Sequence, residues 1–154
     1  MTVLLLALAI GVVAGLRSMT APAAVSWAAQ RGALDLAASR LAFLGYAWAA
    51  WTLTILALGE LVVDQLPSTP SRTVPPAFAG RILSGAVCGA ALGVGGGYWV
   101  GGAVAGAVGA VVGTLGGRAL RARLAVSFGS DRPAAIVEDL VAIAGAVLIV
   151  IASQ

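Results

Sequence analysis

The sequence predicts an all-α protein: a polytopic membrane helix bundle of about five spans, the first of them broken. Three observations lead there. Of the 154 residues, 60% are hydrophobic and only 10% are charged, where a soluble domain carries about 25% charged residues. The mean hydropathy is +1.03. Five apolar stretches follow one another with short polar gaps, most of them close to the ~20 residues that cross a bilayer. This balance excludes an ordinary water-soluble globule, a disordered tail and a disulfide scaffold. The length fits a single integral membrane domain over residues 1–154.

The first stretch runs from Val3 to Leu16 and is short for a span. Apolar character resumes after Arg17-Ser18-Met19-Thr20 and continues from Ala21 to Ala29. A cleaved signal peptide is the rival reading, but no cation precedes the run and Arg17 falls where a cleavage region should be small and neutral. A retained, broken first helix is the better account. The second stretch is Leu41–Val63, with Trp48 and Trp51; the third is Ala77–Val94, the fourth Tyr98–Leu115 and the fifth Ala134–Ala152. Tyr46, Tyr98 and Trp99 are candidate interface markers. With five spans and the N-terminus in the cytoplasm, six arginines fall inside and three outside, a weak bias. The chain is expected to cross its membrane several times.

Residue types narrow the chemistry. There is no His, and the single Cys88 lies in an apolar run. Imidazole catalysis, His or paired-Cys metal sites and intramolecular disulfides are therefore excluded, and no cofactor or metal is expected. No nucleophile–base pair stands out among the remaining Asp, Glu, Ser and Thr, so an enzyme is not expected. All nine cations are Arg, against six acids. Planar forks suited to phosphate or carboxylate are one reading; codon bias that also enriches Ala and Gly is the other. The arginines form no continuous basic face, so nucleic acid is not an expected partner.

The two ends of the chain resemble each other. Gly15, Arg17, Ala21, Ala24, Val25 and Ser26 align without gaps on Gly116, Arg118, Ala122, Ala125, Val126 and Ser127. An acidic pair follows each copy: Glu60 and Asp64, then Glu138 and Asp139. Chance similarity in an Ala/Gly/Val-rich chain is the alternative. If the repeat is genuine, three intervening crossings invert the halves, about 1–66 and 98–154, linked by a Pro-rich loop and a Gly-rich helix. Inverted halves with broken helices are a common transporter design.

Gly85, Gly89, Gly93, Gly97 and Gly101 recur every four residues, as do Gly109, Gly113 and Gly117. Small residues at that spacing line one helix face and admit a neighbouring backbone. The contact is either within one chain or between copies of a homo-oligomer. Gly95-Gly96-Gly97 reads as a tight turn.

Ionisable groups near lipid depth are costly and mark candidate sites. Glu60 and Asp64 share a helix face and suit a proton or cation; with Pro67 close behind, a solvated helix end at headgroup level is the alternative. Glu138 and Asp139 are adjacent and cannot both face one way; just after Pro133, one of them suits the positive end of a helix. Arg17 lies only about 21 Å of helix from Val3, against a 30 Å core. Pro22 disturbs a continuing helix, and Ser18 or Thr20 is placed to cap a new one. A helix N-terminus near Arg17 would hold an anion. Arg72, in the Pro-rich segment Asp64–Pro76, and Arg81 are placed to approach Glu60 and Asp64, and Arg118 is the repeat partner of Arg17.

At Gly15-Leu-Arg-Ser-Met-Thr-Ala-Pro22, Gly59-Glu-Leu-Val-Val-Asp-Gln-Leu-Pro67 running on to Gly80-Arg81, and Pro133-Ala-Ala-Ile-Val-Glu-Asp139, the chain resembles a family of small bacterial inner-membrane proteins known only as a domain of unknown function. The resemblance implies an integral membrane protein and brings no substrate. Where the family carries a Lys after the middle acidic pair, this chain has Gln65.

Together these residues lead to a small membrane transport-type protein. Arg17, Ser18, Thr20, Arg72, Arg81 and Arg118 are expected to contact an anionic solute or lipid headgroup. Glu60, Asp64, Glu138 and Asp139 are expected to hold a proton or cation. The alternative is a non-catalytic lipid-binding or scaffold protein assembled through Gly85, Gly89, Gly93, Gly109 and Gly113.

Overall fold

The computed structural model describes residues 2–64 and 73–153. Six helices form: α1 (Thr2–Leu16), α2 (Thr20–Gln30), α3 (Ala47–Val63), α4 (Pro75–Val94), α5 (Trp99–Phe128) and α6 (Asp131–Ala152). No strand occurs among the described residues. The all-α architecture agrees with the sequence pattern.

Among the described residues three helices, α4, α5 and α6, are long and apolar enough to cross a membrane. That is fewer than the five spans expected, and the shortfall has local causes. α1 has 15 residues, because the chain turns at Arg17. α3 has 17 residues, because a 3-10 turn at Ala42–Gly45 and the extended backbone of Tyr46 take up the start of the Leu41–Val63 stretch. Pro75 and Pro76 open α4, where a missing N–H has no helical partner to lose. Pro22, expected to disrupt a helix, lies in the first turn of α2, where it is tolerated for the same reason.

α5 is longer than the Tyr98–Leu115 stretch. Ala, Leu and Arg between Arg118 and Leu124 are strong helix formers, and the helix ends only before Gly129, whose φ is +68°. This bears on the internal repeat. Gly15–Trp27 contains a helix break, whereas Gly116–Phe128 lies within one unbroken helix. The aligned segments differ in conformation, and the structure lends the repeat no support.

α1, α4 and α5 form the centre of the bundle. Gly85 faces Gly106 and Gly89 faces Gly102, so α4 and α5 run antiparallel. Gly11 faces Gly106 and Gly15 faces Ala110 and Thr114, so α1 and α5 run parallel. A methyl group at Gly85 would lie 2.6 Å from the Gly106 carbonyl oxygen, and one at Gly93 2.7 Å from that of Tyr98. Gly109 and Gly113 admit the α1 backbone at Leu8 and Val12. All five glycines expected at a packing face therefore meet helices of their own chain. Gly97 takes φ +73° to reverse the chain between α4 and α5, and Tyr98 N donates to Gly93 O at 2.9 Å to close the turn.

The bundle is small-residue inside and large-residue outside. Its fully buried positions include Ala7, Ala14, Ala21, Ala50, Ala110 and Ala142, while Ile55, Leu58, Leu83, Val104, Leu140 and Leu148 point outward and are exposed. A water-soluble core reverses that order. In lipid, close approach of small residues supplies the packing attraction and large side chains face the acyl chains.

α2 folds back into this body. Val25 joins the apolar cluster that holds Ile10 and Val13 of α1, Cys88 and Ala91 of α4 and Ala142 of α6. α2 and α3 lie antiparallel: Ser18 and Met19 face Glu60, while the Trp27 indole N–H donates to Thr54 Oγ1 at 2.9 Å. The Trp27 ring stands edge-on to Trp51, with centroids 5.2 Å apart. As a result α1 ends, and α2 begins, at the end of the bundle where α3 finishes and α4 and α6 start. A small cleft between Thr2, Leu6, Leu92 and Ala152 marks the opposite end.

Candidate functional site, an ionic cluster at a helix break

The break between α1 and α2 leaves carbonyls without partners on one side and N–H groups on the other. Side chains from three other helices satisfy them. Arg81 of α4 donates through Nη1 to the carbonyls of Gly15 (2.9 Å) and Leu16 (2.8 Å). A cation suits that position, because a helix C-terminus carries partial negative charge. Thr114 of α5 adds a donor to Gly15 O at 3.2 Å. On the other side, Glu60 of α3 accepts from the backbone N–H groups of Ser18 and Met19, each at 2.8 Å. The N-terminus of α2 is thus met by a carboxylate of the same chain. Ser84 Oγ donates to Ser18 O at 2.5 Å and fixes the turn from the α4 side.

Arg17 sits at the centre and is fully buried. Its Nη1 is paired with Asp64 Oδ2 and its Nη2 with Asp139 Oδ1. The second contact lies outside hydrogen-bond geometry, and Arg17 Nε has no hydrogen-bond partner among the described residues. Arg81 Nη2 reaches Glu60 Oε1 at 3.4 Å and Asp64 Oδ2 at 4.0 Å, which joins the two guanidiniums into one network.

Glu138 and Asp139, though adjacent, are both buried. They point to different partners: Asp139 faces Arg17, and Glu138 faces Arg121 of α5 at 3.9 Å. Arg121 also donates to Asp131 at 2.9 and 2.5 Å and to the Asp64 carbonyl at 3.4 Å. No group of three or more side chains arranged to hold a metal ion occurs among the described residues.

The fold therefore brings together Arg17, Ser18, Glu60, Asp64, Arg81 and Asp139, with Glu138 one step away. Thr20 is buried in the first turn of α2. Arg118 does not join them. It is exposed, and its Nη1 lies 3.4 Å from Thr73 Oγ1. The expected pairing of Arg17 with Arg118 fails because α5 runs straight through Arg118, with no break to bury it. Arg72 lies outside the described residues. Ser84, Thr114 and Arg121 escaped the sequence reading. Ser84 sits three residues after Arg81, on the same helix face, and this spacing was the available signal. Thr114 is a lone hydroxyl beside Gly113 and gave none. Comparison of the chain with protein-family models, with curated proteins and with solved structures finds no match.

Proposed function

We propose that this is a small integral membrane protein of transport type, whose working part is the ionic cluster at the α1–α2 break. An anionic solute, or the headgroup of a lipid, binds Arg17 by taking the place of Asp64 or Asp139. The displaced carboxylate would then be buried without its cation, which strongly disfavours its ionised form. It takes up a proton, so anion and proton enter together and the net charge of the site is kept. Glu60 and Arg81 stay in place and hold the helix break open.

The observation that carries this reading is Arg17 itself: fully buried, flanked by two carboxylates, with Nε lacking a hydrogen-bond partner among the described residues. A guanidinium buried at that cost defaults to a functional role in a membrane protein. Converging ends of a broken helix are also the recurrent site design of secondary carriers. The resemblance to small bacterial inner-membrane proteins supports the location and leaves the solute open.

The test is uptake of phosphorylated and carboxylated solutes into proteoliposomes. Arg17→Lys keeps the charge but removes the planar fork; uptake is expected to fall at least tenfold while helicity is unchanged. Wild-type vesicles that take up no anion faster than protein-free vesicles would remove the proposal. One observation favours a second reading, a purely structural stitch: Arg81 and Glu60 already satisfy the helix ends within the chain. Under that reading Arg17→Lys changes stability alone.

A further inference from the structure

α5 overshoots the bundle. From Trp99 to Arg118 is twenty residues, about 30 Å of helix, which matches a hydrocarbon core of roughly 30 Å. The apolar part of α6, Ala134–Ala152, has the same reach. The final ten residues of α5, Ala119–Phe128, extend about 15 Å further. This passes through the headgroup layer, about 5–8 Å deep, and continues into water.

That projection has a distinct chemistry. Arg118, Arg123 and, at the start of α6, Arg132 are exposed or half-buried at the surface, and Leu120, Val126 and Phe128 beside them are exposed. Neither Arg123 nor Arg132 has an ion-pair partner among the described residues, and Asp131, the acid beside Arg132, is engaged by Arg121. Beyond the C-terminus of α2, away from the break, the surface charges are Arg31, Arg40 and Asp35. Arg31 there lies against its own Trp27 ring, 5.3 Å from the centroid.

We propose that the surface arginines at the α5–α6 corner bind anionic phospholipid headgroups of the cytoplasmic leaflet. Arg118, flanked by exposed Leu115 and Leu120, matches the two parts of such a leaflet: phosphate oxygens above, acyl chains below. The same excess of arginine fixes the orientation by the positive-inside bias. The ionic cluster then lies on the cytoplasmic side, with Thr2, the Gly95–Gly97 turn and Ser153 on the opposite side. This differs from the orientation expected for five spans. That count grouped Arg17 with Arg31 and Arg40, whereas the fold-back of α2 separates Arg17 from them by the length of α2. The proposal does not depend on transport.

The test uses the full-length protein in mixed micelles with phosphatidylglycerol and phosphatidylcholine, and native mass spectrometry counts the bound lipid. Each arginine near an anionic surface adds about fivefold in binding, so three give a preference of roughly 100-fold for phosphatidylglycerol. Arg118→Gln with Arg123→Gln and Arg132→Gln is expected to abolish it; the corresponding Lys variant and the Arg31→Gln/Arg40→Gln variant are expected to keep it. A preference unchanged in the triple Gln variant would overturn the proposal, as would displacement of the lipid by inorganic phosphate at millimolar concentration. Orientation is read separately with a membrane-impermeant maleimide on intact cells. Thr2→Cys is expected to label from outside and Ser130→Cys only after lysis; the reverse pattern overturns it.

Discussion

Replacing Gly106 by Ala isolates what the glycine packing contributes. A Cβ at Gly106 would run into the Gly85 carbonyl and stand 3.1 Å from the Gly89 Cα. Gly11 of α1 presses on the Gly106 carbonyl from the other side. The obstacles are backbone atoms of α4, and α1 packs close on α5 as well, so no side-chain rotation relieves the overlap. Over-packing costs about 1–3 kcal/mol, and a backbone obstacle belongs at the upper limit, about 3 kcal/mol. Ala gains back about 1 kcal/mol of helix propensity over Gly. The net loss is about 2 kcal/mol, roughly a 30-fold drop in the folded-to-unfolded ratio. On the same helix, a methyl group at Gly116 would have nothing within 4 Å, so Gly116→Ala should gain the propensity alone. The two changes should thus differ by about 3 kcal/mol, with propensity cancelled. The assay is SDS-titrated unfolding in mixed micelles, followed by far-UV circular dichroism. If Gly106→Ala were as stable as Gly116→Ala, the close α1–α4–α5 contact would be wrong.

Three further experiments probe the ionic cluster and the core. Arg17→Gln leaves Asp64 and Asp139 without their buried cation and should destabilise by about 3–5 kcal/mol; adding Asp139→Asn should recover part of that loss in a double-mutant cycle of SDS unfolding. Glu60→Ala removes the acceptor for two N–H groups at the start of α2 and should cost about 1–2 kcal/mol. Its signature is faster hydrogen exchange at Ser18 and Met19, with the amides of α5 unchanged. Cys88 is fully buried, so a maleimide should modify it only at the rate at which the protein opens. Rapid labelling under native conditions would contradict the α2–α4–α6 packing.

Much of the fold was legible because lipid burial and small-residue spacing leave strong marks. The four-residue glycine period on α4 and α5 pointed to backbone contact, and Gly95–Gly97 to the turn. The choice between contact within a chain and contact between copies was not legible, since periodicity describes one face and says nothing of its partner. The break at Arg17 was visible from span length and Pro22. The sense of the chain after it was not: apolar residues Ala21–Ala29 read the same whether α2 continues α1 or returns beside it. That ambiguity also misplaced Arg31 and Arg40. Glu60, Asp64, Arg81 and Asp139 stood out as charges in apolar surroundings, and the fold collects them at the break. Arg118 looked equivalent to Arg17 in sequence, yet burial follows from a helix end, and α5 has none there.

The most direct test of the proposed coupling records anion and proton uptake together, in proteoliposomes loaded with a pH-sensitive dye. Wild-type protein should acidify the lumen with each anion that enters, and an inward proton gradient should speed entry. Replacing both Asp64 and Asp139 by Asn should uncouple the two, because an amide cannot take up the proton. Anion entry without acidification in the wild type, or acidification that persists when both Asp64 and Asp139 are replaced by Asn, would contradict the exchange of carboxylate for solute at Arg17.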